Sequence, residues 1–157
     1  MYVYAIDATA YQATILKMPI HGGTSVPFVQ TGVNNTMFNA LATDGVNLFW
    51  AFDGTPSMNW ADAGIYKMAL TGGAPTQIAS ASTAGNTGNI GTDGSYVYYF
   101  ESGSPATFAR VALGGGTPQP IASANQGNVQ NVSRPIRFDD HCVYWSDTFV
   151  SAYRRIP

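Results

Sequence analysis

Cysteine is nearly absent from this chain of 157 residues, and charge is scarce. The single Cys142 makes neither an internal disulfide nor a thiolate metal site, so stability has to come from packing and hydrogen bonds. Seven basic and nine acidic side chains leave a formal net charge of -2, with no Lys/Arg cluster. That removes the electrostatic footprint of a nucleic-acid binder or a polybasic membrane-surface protein. No apolar run approaches the roughly 18 residues of a membrane span, and the first residues carry neither a basic segment nor a long apolar one. Histidine is limited to His21 and His141, and there is no serine elbow, phosphate loop or cluster with metal-ligand spacing. Neither a cofactor nor a metal is expected. Asp139 and Asp140 are neighbours in one turn, not the separated pair of a glycosidase. His141 and Cys142, read as successive strand residues, are expected on opposite faces and so not as a nucleophile pair.

What the chain does have is 45% hydrophobic and 13% aromatic residues, far too many for a disordered tail, punctuated by 17 Gly and 9 Pro. These residues are organised by an internal repeat. Thr43-Asp44-Gly45 leads into VNLFW, Thr92-Asp93-Gly94 into SYVYY and Phe138-Asp139-Asp140 into HCVYW, each Asp lying six residues before Trp50, Tyr99 or Trp145. A variable loop follows, and then one basic residue before an apolar one, at Lys17, Lys67, Arg110 and Arg155, spaced 50, 43 and 45 residues apart. Three of these segments run into glycine turns, IHGGTSVP, LTGGAPTQ and LGGGTPQP.

Each unit thus holds four short runs rich in Val, Ile, Tyr, Phe and Trp, too short for helices and bounded by Asp-Gly and Gly-Gly turns. No window reads as helical. Four antiparallel strands in a repeat of about 45 residues predict an all-β fold, a β-propeller. With strands lettered A to D, A ends at the Asp turn, B is the aromatic run, C carries the basic residue and D follows the glycine turn. The chain divides into a partial blade 1–38, blades 39–87 and 88–133 and a partial blade 134–157. An arc of about three and a half blades leaves sheet faces uncovered, so a piece of a longer chain is expected, with closure by several copies as the alternative.

VYWSD at Val143 to Asp147 followed by AYRRIP, and LFWAFDG followed by GIYKMALTGG, resemble the YWTD repeat of low-density-lipoprotein-receptor-type propellers. The repeat with I-A-S before the next D-G-x-x-V-Y-W is also similar to secreted bacterial propeller proteins of unknown function. Ala5 at the strand-B aromatic position and Thr24-Ser25-Val26 in the first glycine turn depart from that pattern. The resemblance implies a ring of six to eight blades and a non-enzymatic binding or scaffold module, secreted or at the cell surface, with a protein or glycan ligand. The charge balance and the lack of a long apolar run lead us to expect no nucleic acid and no membrane span.

Each regular position has a structural role to fill. Asp44, Asp93 and Asp139 are expected to accept amide hydrogen bonds in their own turns, in preference to holding a cation or a sugar hydroxyl. Lys17, Lys67, Arg110 and Arg155 are expected to pair across strands, with Asp7, Glu101 and Asp147 as acceptors, in preference to lining an anion groove. Trp50, Tyr99 and Trp145 are expected to pack between blades. Trp60 lies outside the repeat, in an insertion with Asn59 and Asp62, where an aromatic beside amide and carboxylate makes a carbohydrate platform. Tyr11, Phe108 and Tyr153 are placed near equivalent loops, so the rim is expected to carry several aromatics. A glycan-binding propeller on these residues and a fragment of an enzyme with its catalytic residues elsewhere are the alternatives.

Overall fold

The computed structural model describes residues 1–7, 12–81, 87–101, 106–124, 136–139, 141–147 and 152–156. Four antiparallel sheets follow one another along the chain. The first comprises β1 (Tyr2–Asp7), β2 (Gln12–Pro19) and β3 (Val26–Asn34). The second comprises β4 (Phe38–Thr43), β5 (Asn47–Phe52), β6 (Gly64–Ala69) and β7 (Thr76–Ser80). The third comprises β8 (Thr87–Thr92), β9 (Tyr96–Glu101), β10 (Ala106–Ala112) and β11 (Gln119–Ala124). The fourth comprises β12 (Arg137–Phe138), β13 (Val143–Asp147) and β14 (Ala152–Ile156). Strand order equals chain order within every sheet, which is the meander of a propeller blade. In the lettering above the sheets are B-C-D, A-B-C-D, A-B-C-D and A-B-C.

The A-to-B turns explain why Asp recurs. Asp44 Oδ1 accepts from the amides of Val46 at 2.8 Å and Asn47 at 2.6 Å, and Asp93 Oδ1 from those of Ser95 at 2.8 Å and Tyr96 at 2.7 Å. Asp139 does the same with His141 and Cys142 at 2.8 and 2.7 Å. The preceding threonine closes the turn from its other side, Thr43 and Thr92 each donating to a carbonyl four residues on at 2.8 Å.

Alternation along strand B then sends every second side chain to one neighbour. Trp50 packs on Ala13, Ile15 and Val29 of the first sheet, Tyr99 on Phe49 and Ile65 of the second, and Trp145 on Tyr98, Phe100 and Phe108 of the third. The repeating aromatic thus always faces the preceding sheet, and the core is three such inter-blade layers.

The basic series behaves differently from the sequence expectation. Lys17 pairs in register with Tyr4 and Arg110 with Tyr98, whereas Asp7 and Glu101 lie three residues further along their strands. An odd offset puts the carboxylates and the basic residues expected to pair with them on opposite faces of one sheet. Arg155 stands opposite Tyr144 in register, and the side chains of Arg155 and Asp147 lie outside the described residues. The lysines instead cross to the next blade. Lys17 Nζ donates to the Leu70 carbonyl at 3.4 Å, and Lys67 Nζ to the equivalent Leu113 carbonyl at 2.7 Å.

Candidate functional site

Two places depart from the repeat, and they lie at opposite ends of the sheets because β5 separates an Asp turn from the insertion that follows it. The insertion folds as a single 3₁₀ turn, Pro56–Met58, and then passes through Asn59 and Trp60 with φ of 49° and 63°. Left-handed backbone at two successive residues other than glycine is strained, most of all for a bulky aromatic. Local bonds hold it there. The Trp60 amide donates to Thr55 O and the Ala63 amide to Trp60 O, both at 3.0 Å. Asp62 ties the loop together, its carboxylate accepting from the Thr55 amide at 2.7 Å and the Thr55 hydroxyl at 3.1 Å, while its carbonyl accepts from the Tyr66 hydroxyl at 2.7 Å. The carboxylate expected to meet a sugar is thus committed to its own loop. Asn59 is exposed, and Trp60 is half-buried.

The aromatics expected beside it are not gathered there. Phe108 is 1% exposed and lies inside the layer between the third and fourth sheets, stacked on Phe100 at 4.5 Å and against Trp145 at 4.6 Å. Its place on β10, two residues before Arg110, is that of Ile15 before Lys17 and Ile65 before Lys67, both fully buried. Phe108 is therefore a core residue and no rim contact, a fact readable from that alignment. Tyr11 lies outside the described residues, as do the side chains of Tyr153 and Arg155.

The second place is a cleft of about 500 Å³ between the third and fourth sheets, at the Asp-turn end. It brings together Asp93, Tyr98 and Arg110 from one sheet with Phe138, Asp139 and His141 from the next. Cys142 also lines it: both His141 and Cys142 sit in the turn before β13, so strand alternation does not send them apart as expected.

Charge in the cleft is unevenly compensated. The Tyr98 hydroxyl donates to Asp93 Oδ2 at 2.8 Å, and the Arg110 guanidinium lies beside that hydroxyl. Arg110 also stacks over Tyr96 at 4.3 Å and donates from Nε to Gln119 Oε1 at 3.2 Å. Burial pushes the Asp93 carboxyl up, but the amides of Tyr96 and Ser95 and the Tyr98 hydroxyl outweigh it and leave the group below its ordinary value. At Asp139 the Tyr144 hydroxyl, then the amides of His141 and Cys142, hold the carboxyl below its ordinary value at an exposed site. Both are anions at neutral pH. No single residue marks this site in the sequence, since it exists only where one turn meets the next. Among the described residues no group of three metal-ligating side chains forms, and no helix is long and apolar enough to cross a membrane.

No family model matches the sequence, and no curated protein matches it. Solved structures do. A crystal structure of a nidogen/laminin complex superposes with a TM-score of 0.67 at 17% identity, covering 92% of this chain and 55% of that one. A protein of Agrobacterium tumefaciens assigned to TolB superposes with a TM-score of 0.61 at 16% identity, covering 97% of this chain and 59% of that one. The chain spans less than two thirds of the length of either neighbour. At these identities the likeness speaks for fold alone, and with the four meander sheets it makes this chain a run of β-propeller blades.

Proposed function

We propose that the chain is a non-enzymatic binding and scaffold module, secreted or at the cell surface, which engages a protein partner on the Asp-turn end of its blades. The observation that carries this reading is the inter-blade cleft, where charged and aromatic groups from two rigid sheets converge on one open space. One neighbour in fold is a propeller solved in a nidogen/laminin complex, which agrees with recognition of protein. Further blades complete the ring. Val3 and Met18 of the first sheet are 41% and 36% exposed, whereas their counterparts in the second, Leu48 and Met68, are 2% and 4% exposed against a preceding sheet. Light scattering distinguishes the source of those blades: a discrete closed oligomer means copies of this chain, and a monomer that binds an apolar dye means a longer polypeptide.

A second reading, glycan binding through Trp60, is favoured by the strained backbone that holds this indole half-exposed in its loop. Arrays of extracellular proteins and of glycans, probed with the labelled chain, test the two together. Saturable binding on the protein array supports the module reading. Binding confined to the glycan array and lost in Trp60→Ala replaces it with the lectin reading, and turnover of an arrayed substrate overturns both.

A further inference from the structure

The first sheet has three strands where the second and third have four, and the place that differs is the edge of β1. Its counterparts β5 and β9 each carry a strand on that edge, β4 and β8, whereas among the described residues nothing pairs with β1 there. The strand-D edges of the sheets are guarded against such pairing. β3 and β11 contain Pro27 and Pro120, Pro75 stands just before β7, and a bulge interrupts the ladder of each of these strands. β1 has no proline, no charge before Asp7 and an unbroken register with β2. It keeps the edge of a strand that pairs.

Two side chains indicate what the added strand carries. The Tyr98 and Tyr144 hydroxyls donate to Asp93 and Asp139, the carboxylates that cap the turns entering their strands. Tyr4 holds the same place in β1, opposite Lys17 as Tyr98 is opposite Arg110 and Tyr144 opposite Arg155. It lies edge-on to Phe28, and among the described residues its hydroxyl has no acceptor. Leu41 is the second. Three residues before its turn Asp, it is half-buried, whereas Ile90 and Ile136 at the same place are 6% and 5% exposed. Strand A of the preceding sheet covers Ile136, and a Cβ on Gly91 would come within 3.0 Å of it. Ala42 packs in the same cluster as Ile90 in the same way. The residue two before the Asp is therefore small, because the next blade fills the space beside it.

Building on the reading that further blades complete the ring, we propose that the edge of β1 takes a fourth strand from a segment outside these 157 residues, with the pattern aliphatic, Gly or Ala, Thr, Asp. Its small residue lies on Leu41, and its Asp accepts from the Tyr4 hydroxyl and from the Tyr2 amide, the counterpart of the Asn47, Tyr96 and Cys142 amides. A second copy has no such strand to give, because its β4, β8 and β12 are each paired in their own sheets. The test appends a copy of residues 87–94 directly before Met1, which sets its Asp as far from Tyr2 as Asp93 is from Tyr96. Amide hydrogen exchange in Tyr2–Asp7 should slow roughly tenfold relative to the parent. Tyr4→Phe should take back about threefold of that slowing in the extended chain and change nothing in the parent. Leucine in place of the appended copy of Gly91 should remove most of it. Equal slowing by an appended segment of scrambled order overturns the proposal, as does unchanged exchange in β1. Protection of β1 in the parent that grows with protein concentration also overturns it, since a second copy would then be the occupant. Such a failure beside a discrete closed oligomer in light scattering leaves the ring reading standing; beside a monomer that binds no apolar dye, both fall.

Discussion

Tyr99 is fully buried between the second and third sheets, and among the described residues nothing bonds its hydroxyl. Tyr99→Phe removes an oxygen that lost its water on folding and gained no partner. Such a group costs about 1–3 kcal/mol, from which a small loss of packing is subtracted. The variant should therefore be more stable than the parent by about 1 kcal/mol at pH 7, raising the melting temperature by roughly 2–4 °C in a chain of this size. Burial, and then the nearby charge of Glu101, hold the Tyr99 phenol well above its ordinary value. The sign follows from linkage. From about pH 10 the unfolded chain loses this proton and the folded chain keeps it, so stability falls as pH rises, by roughly 1.4 kcal/mol at pH 11. Phenylalanine abolishes that loss, and the advantage of the variant should grow to about 2.5 kcal/mol between pH 7 and pH 11. Urea unfolding followed by tryptophan fluorescence at both pH values measures it. A variant less stable by 1 kcal/mol at pH 7 would mean that the hydroxyl has a buried partner, and an advantage that does not change with pH would mean that Tyr99 is not buried as described.

Three further outcomes test the architecture. Trp50→Ala should cost roughly 3–5 kcal/mol in the same assay, because Trp50 is 2% exposed in the layer against the first sheet, whereas Trp60→Ala should cost under about 1 kcal/mol; equal costs would contradict the blade assignment. Gly64→Ala should cost roughly 3 kcal/mol or more and broaden the unfolding transition, since a Cβ there would lie 2.1 Å from the Ala79 carbonyl oxygen at φ of 156°. Lys67→Met should cost about 1–2 kcal/mol through loss of the bond to the Leu113 carbonyl, and raising the salt should not reproduce that loss if the bond is screened from solvent as its half-buried position implies.

Much of the fold was legible because it is local. An Asp whose side chain caps its own turn and an aromatic six residues later share a hairpin, so their spacing survives in the sequence and recurs three times. Which face the aromatic takes also follows from the two-residue alternation once the turn is fixed. The destination of Lys17 and Lys67 was not legible in that way. It depends on the parity of cross-strand register, and a strand-C residue faces away from a carboxylate three places along strand B however near the two lie in the repeat. Phe108 was misplaced for a related reason, since it borders a loop of variable length and only its alignment with Ile15 and Ile65 shows it to be core. The cleft was hidden more deeply, because Asp93, Arg110 and Asp139 come to line one space only when two blades are stacked.

The lysine crossings have a consequence for how such an array can change in length. The first and second blades each offer the next an ammonium, the second and third each offer a main-chain carbonyl, and that carbonyl belongs to whatever residue follows strand C. A main-chain acceptor is insensitive to sequence drift, so a duplicated blade spliced between two others carries its own donor and meets a ready acceptor on arrival. Inserted in reverse it would meet neither. Growth by whole units in one direction is thus written into the contact itself.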